Sequence, residues 1–220
     1  MDALSIITLA MGAAWASGIN LYATVLVLGL LGSTGLVDLP AGLDPLSSPV
    51  VLVIAGAVYI IEFFADKIPG VDSLWDGVHT FIRIPAGALM AAGATAGLGE
   101  DYMVALALLG GAAVAAGSHA TKAGSRAVIN TSPEPFSNWA ASIFEDVAVV
   151  AGLSLAVFQP TVFLGFLFVF ILIAMWLLPK IWRGIRQIYR RFAGAGAGSG
   201  NDLQPASKGF TLSPLKRDGE

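Results

Sequence analysis

The ionisable side chains Glu62, Asp66, Asp76, His79, Arg83, His119, Lys122, Arg126, Glu145 and Asp146 stand beside or within apolar runs long enough to cross a bilayer. A charge at the middle of a membrane helix costs roughly 2.5–3.5 kcal/mol on insertion scales, so such a group faces a partner or a wet cavity. Their spacing is helical. Glu62 and Asp66 are four apart; Asp76, His79 and Arg83 form one stripe, His119, Lys122 and Arg126 another; Glu145 shares a face with Asn138 and Ser142, and Asp146 adjoins it. Counting along the helices puts Glu62, Arg83 and Glu145 each about 8–10 Å inside one membrane edge, so the sets can share one layer. Two chemistries fit: a substrate or ion pathway, or an ion-pair network holding helices together. In either, Glu62 and Asp66 are expected to neutralise Lys122 and Arg126, while Arg83 faces Glu145 and Asp146.

The sequence offers no catalytic constellation. His79 and His119 sit on different helices, neither with a second histidine at ligand spacing, and there is no cysteine, so no metal site is expected. No phosphate-cradling loop, nucleophile elbow or zinc helix motif occurs, and no catalytic residue or cofactor is assigned. The basic residues hug the membrane face, which argues against nucleic acid as a partner.

The elements that would position this layer follow from composition. The 220 residues are 56% hydrophobic and 12% charged, with a mean hydropathy of +0.77, far from the roughly 25% charged residues of a soluble domain. The fold class expected is an all-α membrane protein with about six transmembrane helices of ~20 residues. The N-terminus lacks the basic region of a signal peptide and is read as retained. Residues 3–36 are apolar for longer than one span needs, and Ser17, Gly18 and Asn20 interrupt them, so the first span is expected to be broken. A loop from Ser33 to Ser48 follows. The second span runs from Val50 to about Pro69, and Ser73 is the expected cap of the next helix, with Asp76 three positions on. Pro85 is expected to kink or break the third span. The fourth begins at Tyr102, the fifth carries Asn138 to Glu145, and Val162–Leu178 forms a sixth that faces lipid. Spans three and four, rich in Ala and Gly, belong at the bundle centre.

Three segments are expected: a transmembrane domain over 1–178, a basic amphipathic interfacial helix over 179–192, and a flexible cytoplasmic tail over 193–220. Lys180, Arg183, Arg186, Arg190 and Arg191 would hold the interfacial helix to anionic lipid. With six alternating spans and a cytoplasmic N-terminus, every Lys and Arg falls on or near the inner side. That is the positive-inside pattern for a multi-pass protein of the cytoplasmic (inner) membrane with both termini inside. Two internal echoes point in different directions. Pro69, Ser73 and Trp75 recur as Pro133, Ser137 and Trp139, suggesting parallel copies; GAAWASG at Gly12 and GAAVAAG at Gly111 suggest an inverted repeat.

The segments EFFADKIPGVDSLWD, HTFIRIPAGA and NTSPEPFSNW resemble a bacterial integral membrane family known as domain of unknown function 4126, over most of residues 5–180. The resemblance implies a bacterial membrane protein and brings no activity, substrate or catalytic residue. The residues themselves favour a small transporter or channel-like protein with a cytoplasm-facing charged cavity for a charged solute or lipid head group. The alternatives are a non-transporting scaffold or assembly factor held by intramembrane ion pairs, and a lipid-modifying enzyme. The partners expected are the bilayer, anionic lipid at the C-terminal helix and an unidentified small solute or head group; a homo-oligomer is compatible with all three readings.

Overall fold

The computed structural model describes residues 1–99, 101–131 and 135–197 and, among these, every side chain except those of Pro135, Ile185 and residues 188–197. Among the described residues the regular structure is all helical, without a strand: α1 Ala3–Ile19, α2 Leu21–Ser33, α3 Pro49–Ala65, α4 Val71–Thr95, α5 Asp101–Ile129, α6 Pro135–Phe158 and α7 Pro160–Ala197. Short 3-10 turns, Ala41–Ser47 and Ala96–Leu98, precede α3 and follow α4. Val71–Leu98, α5, Phe136–Phe158 and Pro160–Gly184 are each long and apolar enough to cross a membrane. The turn Ala41–Ser47 and α3, bent by 65°, make a fifth such unit together, while α1 and α2 are shorter apolar helices.

The expected break in the first apolar run falls at Asn20, whose extended backbone separates α1 from α2. Contacts along the two halves show that the chain reverses there. On α1, Gly12 lies against Ala156 and Phe163, Trp15 against Gly152, and Gly18 against Ser118, while the Ser17 hydroxyl donates to the Arg83 carbonyl at 2.9 Å. α1 therefore runs antiparallel to α4 and α6 and parallel to α5. On α2, Tyr22 meets His79, Leu26 faces Gly56, Gly29 packs on Leu46 and Leu52, and Gly32 on Ser47. α2 thus runs antiparallel to α3, back to the end from which α1 entered. At about 1.5 Å per residue, 17 and 13 residues reach about 25 and 20 Å, short of a ~30 Å hydrocarbon core. The two form a V with its apex inside the bundle.

Asp38, Asp44 and Asp101 mark the end at which α1 starts and α2 finishes; Lys67 and Arg126 mark the other. α3 to α7 cross between these acidic and basic ends in alternation, so Met1 and Ile185 lie at opposite ends. Six alternating spans had placed the termini together. The physical reason for the difference is the turn at Asn20: its side-chain oxygen accepts from the Ala23 N–H at 3.0 Å and starts α2 in the reverse direction.

The centre belongs to α4 and α5, as their small residues predict, and equally to α1, which is buried continuously from Thr8 to Ile19 apart from Met11. α4 continues through Pro85 without a break. It starts after Gly70, whose φ of +87° suits glycine alone; Ser73 is not its cap, and Asp72 accepts instead from the Gly70 and Ser73 N–H groups. The segment Ser33–Ser48 is more than a loop, since its 3-10 turn buries Leu43 and sets Gly42 backbone-to-backbone against Gly93. The two motifs GAAWASG and GAAVAAG lie side by side on helices running the same way, which removes the inverted reading of that echo.

α7 runs past Leu178 with Pro179 inside it, where the interfacial helix was expected to begin separately. Residues Met1–Ile185 form one compact unit. The expected tail lies outside the described residues from position 198, as do Glu100 and Glu134.

Candidate functional site

α3, α4, α5 and α6 bring the sequence-selected side chains into one layer near the basic end. Arg83 is fully buried and bridges Glu62 and Asp76, with N···O distances of 2.6 and 2.8 Å. Arg126, also fully buried, grips Glu145 with two bonds of 2.8 and 3.1 Å and donates to the backbone carbonyls of Asp66 and Asn138. Between them lies Lys122, whose ammonium is 2.9 Å from Asp66, 3.3 Å from Glu145, 3.5 Å from Glu62 and 3.6 Å from Asp76. Lys122 lies beside Glu62 and Asp66 as expected, whereas Arg126 reaches the Asp66 carboxylate only at 3.6 Å and pairs with Glu145 rather than Glu62. Arg83 departs from expectation: it pairs with Glu62 and Asp76 and not with Glu145 and Asp146, because α4 turns its face towards α3 and its own preceding turns.

Among the described residues this network holds four carboxylates, Glu62, Asp66, Asp76 and Glu145, against the bases Arg83, Lys122 and Arg126. Glu62 Oε2, Asp66 Oδ1 and Asp76 Oδ2 are buried without a hydrogen-bond partner. The layer thus carries a formal excess of one negative charge with neutral histidines. Taking unpaired charge out of water is expensive, so every base here is held by more than one acceptor.

The histidines sit at the edge of the layer. His79 stacks on Trp75 with ring centres 4.2 Å apart, and its nitrogens meet the Trp75 carbonyl and the Tyr22 hydroxyl at 2.9 and 3.1 Å. His119 meets the Thr80 hydroxyl at 2.7 Å and the Arg83 guanidinium at 3.5 Å. No group of three His, Asp or Glu side chains among the described residues is disposed to hold a metal ion.

The apex of the V closes over this layer. Asn20, at the break in the first apolar run, donates to Asp146 at 3.0 Å. Asp146 is therefore tied to the apex between α1 and α2, while Arg83 pairs with Glu62 and Asp76. A second polar chain lies nearer the basic end: fully buried Asp72 accepts from Asn130 at 2.8 and 2.9 Å, and Asn130 accepts from Asn138. Sequence reasoning missed Asp72, Asn130 and Tyr22. The signal available for Asp72 was an acidic residue one turn before Asp76 on the same face.

Of the lipid-surface set, Lys180 places its ammonium 3.1 Å over the Trp176 ring, Arg183 donates to the Pro179 carbonyl, and both are exposed, as is Arg186. The side chains of Arg190 and Arg191 lie outside the described residues.

An apolar cavity of about 420 Å³ opens between α1, α5, α6 and α7, and reaches the layer at Lys122 and Glu145.

These features define an all-helical protein with helices long and apolar enough to cross a membrane and a buried charged layer beneath the apex of two shorter apolar helices. The chain belongs to the family described as domain of unknown function (DUF4126), whose model matches residues 7–180. No curated protein and no solved structure is significantly similar to it.

Proposed function

We propose that the protein is a small transporter or channel-like protein of the bacterial cytoplasmic membrane, with the charged layer as its pathway for a charged solute or lipid head group. The observation that carries this reading is the meeting of two half-helices with a buried charged layer at Asn20. Interrupted backbone at membrane depth is tolerated where it is enclosed by protein or lines a wet cavity, and secondary transporters build sites from such discontinuous helices. The positive-inside rule supports a cytoplasmic basic end, since no Lys or Arg lies between Met1 and Asp66 or between Ile84 and Thr121. On this reading the N-terminus is outside.

The scaffold reading draws on a different observation: Arg83 and Glu62 are wholly enclosed and paired with each other. Thiol accessibility separates the two, and the absence of cysteine provides a clean background. Single cysteines at Ser118 and Ser142, both buried in or beside the layer, are treated in sealed membranes with a small charged thiol reagent. A pathway predicts reaction from the basic side well above that of a cysteine at Ala174 on α7. Folded protein unreactive at both positions overturns the transport reading. Labelling of a cysteine at Asp2 from outside, and at Lys67 only after the membrane is opened, checks the orientation.

A further inference from the structure

We propose that the cavity between α1, α5, α6 and α7 binds a lipophilic organic cation; this deepens the transport reading by naming a substrate class, and rests on it. At about 420 Å³ the cavity has the size of a small-molecule site, and its lining is almost wholly apolar. Trp15, Phe144, Phe166 and Phe170 supply aromatic walls, and Trp15 is fixed edge-on by Phe166 and Phe170 at centre separations of 5.1 and 5.9 Å. Aromatic faces attract cations, and do so more strongly away from water.

The polar edge of the cavity decides the sign of the ligand. It is formed in part by Lys122 and Glu145. The Lys122 ammonium already lies within 3.6 Å of four carboxylates, whose combined charge an incoming anion would meet. Glu145, although Arg126 holds both of its oxygens and Lys122 lies 3.3 Å away, is the most accessible carboxylate of a network in which acids outnumber bases, with 11% of its side chain exposed against 0, 4 and 2% for Glu62, Asp66 and Asp76. Behind it the layer carries one more acid than base, and three carboxylate oxygens there are buried and unpartnered, against one such nitrogen, Arg83 Nε. An anion would enter an apolar chamber beside uncompensated negative charge. A neutral hydrocarbon would fill the walls and gain nothing from Glu145. A cation with an apolar surface satisfies both.

The test uses two ions of the same shape and opposite charge. Purified full-length protein in uncharged detergent is titrated with tetraphenylphosphonium and with tetraphenylborate, reading saturable equilibrium binding and tryptophan fluorescence. Saturable 1:1 binding of the phosphonium is expected, at least tenfold tighter than that of the borate and weakened at least tenfold by Glu145→Gln. Because Glu145 also holds Arg126, Ala148→Phe provides a second variant, which fills the cavity from α6 and leaves the ion pairs in place; it is expected to abolish binding without lowering thermal stability. Equal or tighter binding of the borate, or phosphonium binding indifferent to Ala148→Phe, overturns the proposal. Failure here with reactive cysteines at Ser118 and Ser142 removes the substrate class alone. Cation binding with unreactive cysteines instead removes the pathway and leaves a binding site.

Discussion

α1 and α7 are both apolar, carry no charge along their membrane-depth stretches, and run in the same direction, yet they occupy opposite kinds of place. α1 carries Gly, Ala, Ser or Thr at most positions from Thr8 to Gly18 and is enclosed from Thr8 to Ile19 apart from Met11, whereas α7 is rich in Phe, Leu, Val and Ile and exposes most of its side chains. Hydropathy does not separate them; side-chain size does. Gly12, Gly18 and their alanine neighbours let four helices approach α1 closely, and in a bilayer close approach, not hydrophobicity, drives helices together. α7 is held instead by a seam of rings, Phe163, Phe166 and Phe170 around Trp15. α1 also ends on the charged layer.

The sharpest way to probe that last difference is to disturb the layer beneath α1. Arg83→Gln leaves Glu62 and Asp76 without their guanidinium, and a cost of about 3–5 kcal/mol is expected for a buried pair broken on one side. Glu62→Gln in the same chain should recover a large part of it, while Glu145→Gln, whose partner is Arg126, should not. Thermal stability in detergent, read as a mutant cycle, measures this. Equal rescue by both second changes would mean that the layer acts as one diffuse field and not as the pairs described.

The next effect tests size directly. A side chain at Gly18 would collide with the Ser118 hydroxyl and the Ala115 carbonyl, and backbone cannot swing away, so Gly18→Leu should cost about 3 kcal/mol or more. At Gly165 of α7 nothing lies within 4 Å of the same position. Gly165→Leu should stay within about 0.5 kcal/mol. Comparable losses at both sites would break the contrast between the two helices.

The contrast also marks what could be read in advance. The members of the layer were legible because a charge inside an apolar run has to be explained, and helical spacing gathered them onto a few faces. Their pairing was not legible, since whether Arg83 meets Glu62 or Glu145 depends on how α4 is rotated, which spacing along one helix does not fix. The reversal at Asn20 was half legible. An uncharged run over residues 3–36 would be about 50 Å long as one helix, too long for a ~30 Å core, so a break was required; a continuing span and a returning one have the same composition. The burial of α1 followed from its small residues, by the same argument that placed α4 and α5, but its length and polarity made it look like an ordinary first span.

The smallest effect belongs to the end of α7. Replacing Arg183 and Arg186 with Gln removes an attraction to anionic lipid of about 1 kcal/mol per base near the surface. Fewer anionic lipids should be retained through purification, with thermal stability unchanged. Unchanged lipid retention would leave α7 anchored by its apolar side chains alone.

The hydrogen bond from Asn20 to Asp146 joins residues 126 apart in sequence, and this separation is also an interval of time. The ribosome adds about 5–20 residues per second, so α1 and α2 wait about 6–25 s after Asn20 is made before Asp146 is synthesised. Ser17 waits for Arg83, 66 residues on, for about half as long. The helix made first is therefore among the last to be fully seated, and until α6 is inserted the apex of the V lacks its Asp146 partner.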